Sequence, residues 1–244
     1  MKLFRLQAPD DERRLVHSTS ERARIRCPAN AGHHRGGPRT SGLLVDAFPT
    51  GPAQDVVFGW SSELLVSDRA AEVLTRSGLT GFELRDVRFE RPLAMGYREF
   101  FVTGYGGCGV GYADCWVSEY CVACELISFK FRGDPPWNFD RFSGHPPFDF
   151  FKVSPAAQAF ISERGVAALV AAGLDPGCVR PADEPDRLDV AIRSSNMLPP
   201  PAWLDAAQRA STWQQVKSLD RLDRIGDRTP PAWVSNPPER AVGT

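Results

Sequence analysis

The sequence predicts an α+β protein in which two related strand–helix–strand units surround a mixed or antiparallel sheet, with a Cys-rich, zinc-knuckle-like insertion and a C-terminal helix. Three observations lead there. Leu65-Val66-Ser67-Asp68-Arg69 runs through Leu74 to Gly78-Leu79, and 95 positions later Phe160-Ile161-Ser162-Glu163-Arg164 runs through Leu169 to Gly173-Leu174. Cys121-Val122-Ala123-Cys124 falls between the two copies. Beyond Pro199-Pro200-Pro201, the run from Ala202 to about Leu222 has helix-forming composition.

Each copy of the repeated passage carries the start and stop signals of one short helix. Ser accepts from a free first-turn amide, and the acid after it favours the positive end of the helix dipole. Gly takes the left-handed conformation that closes the last turn. Local chemistry alone can produce one such passage. Two in matching order and length indicate a duplicated unit, extending over about 60–89 and 150–182.

Before the first copy, residues 1–26 read as two short strands joined by a polar turn. Residues 27–42, rich in Gly, Pro, His and Arg, read as an exposed loop or a metal knuckle. Leu43 to Phe48 and Asp55 to Trp60 read as strands. After the first helix, Gly81 to Phe89 alternates with apolar residues at 82, 84, 87 and 89, and the slip at Asp86 suggests a bulge. Tyr97 to Tyr105 and Leu126 to Arg132 read as strands. The glycines around Cys108 are no dinucleotide fingerprint, because no helix pattern follows to receive a pyrophosphate. Pro135 to Phe151 reads as an ordered aromatic loop over a core edge. Pro-Pro-Ala-Trp at 200–203 and again at 230–233 suggests two docking turns. The expected division is a main domain over 1–182, with the Cys-rich insertion at 104–132, and a Pro-rich extension with one helix over 183–244.

Over 244 residues the net charge is -1, so no broad field draws the chain to nucleic acid or an anionic membrane. Arg outnumbers Lys by 25 to 4, and the densest basic run, Arg22, Arg24 and Arg26, alternates like the wet face of a strand. Met1-Lys2-Leu3-Phe4-Arg5-Leu6 turns polar at once, with no apolar stretch of signal-peptide length, and nothing approaches a membrane span. The expected location is the cytoplasm, where the six Cys stay reduced.

Two thiolates at Cys-x-x-Cys spacing can face one tetrahedral ion. Cys121 and Cys124 supply half of such a site. The other half is offered by Cys27-Pro28-Ala29-Asn30-Ala31-Gly32-His33, a Cys-Pro opening into a Gly-containing turn, with His33 or His34 in place of a second Cys. The candidate set for one structural zinc is therefore Cys27, His33, Cys121 and Cys124, with Cys108 and Cys115 in reserve. Reduced thiols without metal, or a redox-active Cys121/Cys124 pair, are the alternatives. Catalytic sets are thin. His17 stands beside Ser18 and Ser20, but there is no G-x-S-x-G elbow and no HExxH. Cys108 with His145 offers a thiol nucleophile and a base. Asp134, Asp140 and Asp149 read as turn residues beside proline.

The passage Trp60-Ser61-Ser62-Glu63-Leu64-Leu65-Val66-Ser67-Asp68-Arg69, followed by Ser77-Gly78-Leu79-Thr80-Gly81-Phe82, resembles the double-CxxCG-motif proteins of myxobacteria. So does the later order of Cys121-Val122-Ala123-Cys124, Asp149-Phe150-Phe151 and Phe160-Ile161-Ser162-Glu163-Arg164. The resemblance spans roughly residues 25 to 182. It implies a cytoplasmic immunity protein that binds and neutralises a cognate toxin protein without catalysis, with metal positions at Cys27, Cys121 and Cys124. The chain departs from the pattern twice. The first CxxCG is reduced to Cys27 with His33 nearby, and Glu125 stands where the family has Gly. The competing expectation is a Cys- or metal-dependent enzyme using the Cys108–His145 region, in which a catalytic zinc would keep an open position beside three protein ligands.

Overall fold

Alternating and continuous apolar runs become strands of three sheets, an Arg- and Gly-containing hairpin makes a fourth, and the two capped passages become helices. The computed structural model describes residues 2–6, 15–48, 54–59, 63–93, 95–108, 115–132, 148–154, 159–174, 179–182, 192–197, 200–221 and 224–236. Strands β1 (Leu3–Leu6), β2 (Leu15–Thr19), β3 (Arg22–Arg26), β4 (His34–Arg39) and β5 (Leu43–Ala47) lead to β6 (Val56–Gly59), β7 (Leu64–Ser67) and helix α1 (Asp68–Arg76). Then come β8 (Phe82–Arg85), β9 (Val87–Phe89), β10 (Tyr97–Val102), β11 (Tyr105–Cys108), β12 (Cys115–Cys121) and β13 (Leu126–Arg132). The second half holds β14 (Phe150–Ser154), β15 (Ala159–Ser162), α2 (Glu163–Ala171), β16 (Val179–Pro181), β17 (Ile192–Asn196), α3 (Ala206–Ser218) and α4 (Ala232–Ser235). The fold is mixed α+β, with the Cys-rich hairpin and the C-terminal helix that the sequence predicts.

The repeat is real at the level of single hydrogen bonds. Ser67 and Ser162 cap α1 and α2 by accepting from the amides of Ala70 and Gly165, each at 3.1 Å. Each hydroxyl donates in turn to an Asp just ahead of the unit's first strand: Ser67 to Asp55 Oδ1 at 2.7 Å, Ser162 to Asp149 Oδ1 at 2.8 Å. Arg69 and Arg164 close on the same carboxylates through Nε and a terminal nitrogen. The terminal nitrogens also reach across the molecule, Arg69 to the Gly173 carbonyl at 3.5 Å and Arg164 to the Gly78 carbonyl at 3.3 Å. Each unit's Arg therefore meets the other unit's helix end, in the manner of a pseudo-two-fold pair. Gly78 and Gly173 sit at φ 65° and 69°, the left-handed stop expected of them. The duplicated unit is thus strand–strand–helix, β6-β7-α1 and β14-β15-α2. Asp149 is no turn residue but the acceptor at its centre.

The five-stranded sheet runs β11-β14-β15-β1-β16, parallel only at β11–β14. Both faces are covered. Leu3, Phe151, Val153 and Phe160 meet the core shared with β12, β13, α3 and α4, whereas Phe150, Ala159 and Ile161 meet α1, α2 and β10. Coverage on two sides explains why β15 is a continuous apolar run. Phe82, Phe100 and Phe150 join this sheet to the next, with ring centroids 4.8, 5.4 and 4.7 Å apart. The chains come close enough there that a Cβ on Gly81, itself at φ 90°, would stand 2.0 Å from the Phe150 carbonyl oxygen.

The seven-stranded sheet runs β8-β10-β7-β6-β2-β5-β9. Its two edges, β8 and β9, are separated in the chain only by Asp86, so the sheet curls until its edges meet there. Val16, Leu43, Val45, Val57, Leu65 and Tyr97 fill the inside. The sequence slip at Asp86 is this crossing rather than a bulge. Phe82 and Leu84 face the helix-side core, and Val87 and Phe89 face the inner one. The apolar face switches because the segment passes from one sheet edge to the other.

Other differences have similar causes. Residues 1–26 contain three strands, not two, and His34–Arg39 is a strand despite its Gly and Pro because it pairs with β3. Phe150 and Phe151 belong to a core strand instead of a loop; most of the aromatic stretch before them lies outside the described residues. In the extension, β17 pairs with β13 and so completes the sheet of the Cys-rich hairpin. The two Pro-Pro-Ala-Trp turns differ. Trp233 is buried with its ring 6.2 Å from that of Trp213, while Trp203 stays 42% exposed and donates from Nε1 to the Thr103 carbonyl at 3.1 Å.

Candidate metal centre

Two hairpins from different sheets bring their tips together. The β3–β4 hairpin holds Cys27 to His33 in its connection, and in the β12–β13 hairpin Cys121 ends β12 while Cys124 stands in the turn that follows. At its base, the first hairpin is tied down by Arg39, which grips the buried Glu99 of β10 with both terminal nitrogens, one at 2.7 Å. At its tip, the apolar contact among the described residues is a satellite of Cys27, Cys124 and Leu126 with Cys121 packed against it. So small a cluster is a weak fastener for two loops.

A register shift aims the second tip. Along β12, Val117 pairs with Phe129 but Glu119 pairs with Ser128, so Ser118 is an extra residue on this strand. Before it, Cys115 and Val117 point into the core; after it, Tyr120 does. Glu119 and Cys121 consequently share the opposite face, toward the first hairpin.

The four predicted ligands converge there. One ligand atom from each of Cys27, His33, Cys121 and Cys124 lies within 4.8 Å of every other. Cys27 Sγ and Cys121 Sγ are 3.6 Å apart, and Cys124 Sγ is 3.8 Å from His33 Nδ1. A tetrahedral zinc with sulfur at about 2.3 Å has edges of about 3.8 Å, so this donor set fits that ion. The far nitrogen, His33 Nε2, lies 2.6 Å from Glu119 Oε1, and the His33 side chain is only 12% exposed.

The electrostatics match a cation site. Burial opposes ionisation of Cys27, but amides of Ala29 and Asn30 together with the Cys124 and Cys121 thiols outweigh it and hold its pKa low. Cys124 is pushed up to about 11 by burial and by its bonds to Cys27 and Cys121. Burial also opposes the His33 cation, and its contacts with Cys121 and Glu119 outweigh that and raise it. Three thiols cannot all ionise in such proximity unless a cation neutralises them.

Glu125, the residue after the second thiol, has φ 57°, the one positive value outside glycine among the described residues. This is the conformation a knuckle requires of its Gly. The Glu125 carboxylate accepts the Ala232 amide at the start of α4, which ties the turn to the C-terminal segment.

The reserve and catalytic candidates stand elsewhere. Cys108 is 0% exposed in the main core and donates its amide to Gln215 Oε1 at 2.8 Å. Cys115 is buried in the same core, which pushes its thiol up to about 12. His145 lies outside the described residues, as does the side chain of His34. His17 meets Asp46 at 2.5 Å, while Ser18 turns to Glu63 at 3.4 Å, so no triad forms around them among the described residues. The contact sequence reasoning missed is Glu119; its place two residues before Cys121 in a strand was the available signal.

No family model and no curated protein matches the chain. Among the described residues no helix is long and apolar enough to cross a membrane.

Proposed function

We propose that this is a non-catalytic protein-binding module organised by one structural zinc, and that it acts in the cytoplasm as an immunity protein, binding and neutralising a toxin protein. The observation that carries the reading is closure. Cys27, His33, Cys121 and Cys124 supply four donors to one point, and four protein ligands leave no open position for substrate or water. When bound, zinc would neutralise the thiolates and clamp the two hairpin tips together. The toxin-directed role is supported by the resemblance to the double-CxxCG-motif proteins. The competing enzyme reading needs a reachable Cys108 thiol, and burial of that residue speaks against it.

Two measurements test this. Atomic emission on the purified chain is expected to give about one zinc per chain, lost together with several degrees of Tm in Cys121→Ser/Cys124→Ser. Metal-free protein with an unchanged melting curve in the variant would remove the zinc. Cells expressing a candidate toxin are expected to be protected equally by the chain and by a folded Cys108→Ala variant; loss of protection in that variant would favour the enzyme.

A further inference from the structure

We propose that Glu119 is the positioning residue that lets His33 stand where a fourth cysteine would otherwise be needed. This rests on the zinc reading above and adds a residue outside the ligand set. A thiolate presents its lone pairs without regard to orientation. A neutral imidazole has two nitrogens, and only the unprotonated one can bind a cation. A histidine ligand therefore needs a partner that chooses the nitrogen.

Two side chains contend for His33 Nε2. Glu119 Oε1 lies 2.6 Å from it, and a carboxylate can only accept, so this contact keeps the proton on Nε2 and leaves Nδ1 open toward Cys124. Asn30 Nδ2 lies 2.8 Å from the same nitrogen. The Asn30 carbonyl is already engaged by the Gly32 amide at 2.8 Å, so Asn30 presents a donor to the ring. A donor there favours the opposite tautomer, with the proton on Nδ1, which cannot ligate. Glu119 has to outweigh Asn30. The extra residue at Ser118 is what gives it the chance, since without that shift Glu119 would lie on the core face of β12.

The test measures zinc affinity of the full-length chain by competition with a chromophoric chelator. Glu119→Ala is expected to weaken zinc binding by about 10–100-fold. Adding Asn30→Ala to that variant is expected to recover part of the loss, because the opposing donor is gone. In a His33→Cys background, Glu119→Ala is expected to change the affinity by less than about 2-fold, because a thiolate needs no tautomer chosen. Nitrogen-15 spectra of the zinc-loaded wild type are expected to assign Nδ1 of His33 as the bound atom. An equal loss in the wild-type and His33→Cys backgrounds would make Glu119 a merely structural residue and overturn the proposal, as would zinc on Nε2. A wild type that binds no zinc would overturn the metal reading itself, an outcome distinct from zinc bound without regard to Glu119.

Discussion

The two strand–strand–helix units share one circuit of hydrogen bonds but load it unequally. In the first, Asp55 serves Ser67 and Arg69, and its side chain is 16% exposed. In the second, Asp149 serves Ser162 and Arg164 and accepts in addition from the Thr80 amide at 2.9 Å and the Thr80 hydroxyl at 3.1 Å, with its side chain 7% exposed. Thr80 follows the first unit's helix, so Asp149 fastens one copy to the other while Asp55 fastens mainly its own. Burial opposes the charge on both carboxylates. Hydrogen bonds from Arg and Ser outweigh it, lowering Asp55 and bringing Asp149 to about 2. A duplicated motif has thus become one local cap and one joint between copies.

The largest effect should come from Asp149→Asn, which leaves Arg164 and the Thr80 donors without a charged acceptor. A loss of about 2–3 kcal/mol is expected, or roughly 5–10 °C in Tm, against about 1 kcal/mol for Asp55→Asn. Equal losses in thermal melts would erase the distinction between cap and joint. Acid should sharpen it next. Asp149 titrates at about 2 when folded and near the ordinary 3.8 when unfolded, so its charge stabilises the fold above about pH 4 and that contribution drains away as pH falls toward 2. The difference corresponds to about 2 kcal/mol, and urea titrations between pH 5 and 2 should show a shallower decline in Asp149→Asn. The smallest effect belongs to the helix stops. Among the described residues beyond the chain neighbours, no atom lies within 4 Å of a Cβ built on Gly78 or Gly173, so Ala costs only the left-handed backbone, about 1 kcal/mol at either site. A clear inequality between these two would mean that the Arg contacts to their carbonyls carry more weight than their length suggests.

Much of this was legible in the order of residues alone. The caps, the glycine stops and the positions of the helices follow from neighbours within one turn, and the Cys-x-x-Cys turn follows from a spacing of three. The four metal-ligating candidates converge because both halves stand at hairpin tips, and each half has its own local signature. Asp55 and Asp149 carry no local signature of the repeat. Each lies 12 or 13 residues before its Ser, beyond the reach of capping rules, and the bond between them forms only when two strands pair.

The sequence by itself determined the local circuits: which Ser caps, where each helix stops, which thiols share a turn. Those choices involve atoms a few bonds or one turn apart, and residue type decides them. Only the tertiary structure decided that the strand around Asp86 serves two sheet edges, that Glu119 faces the cysteines, and that each unit's Arg meets the other's glycine. These depend on register and on contacts between residues far apart in the chain. Register is set by the summed packing of whole faces, and one extra residue such as Ser118 reverses which side chains a strand presents.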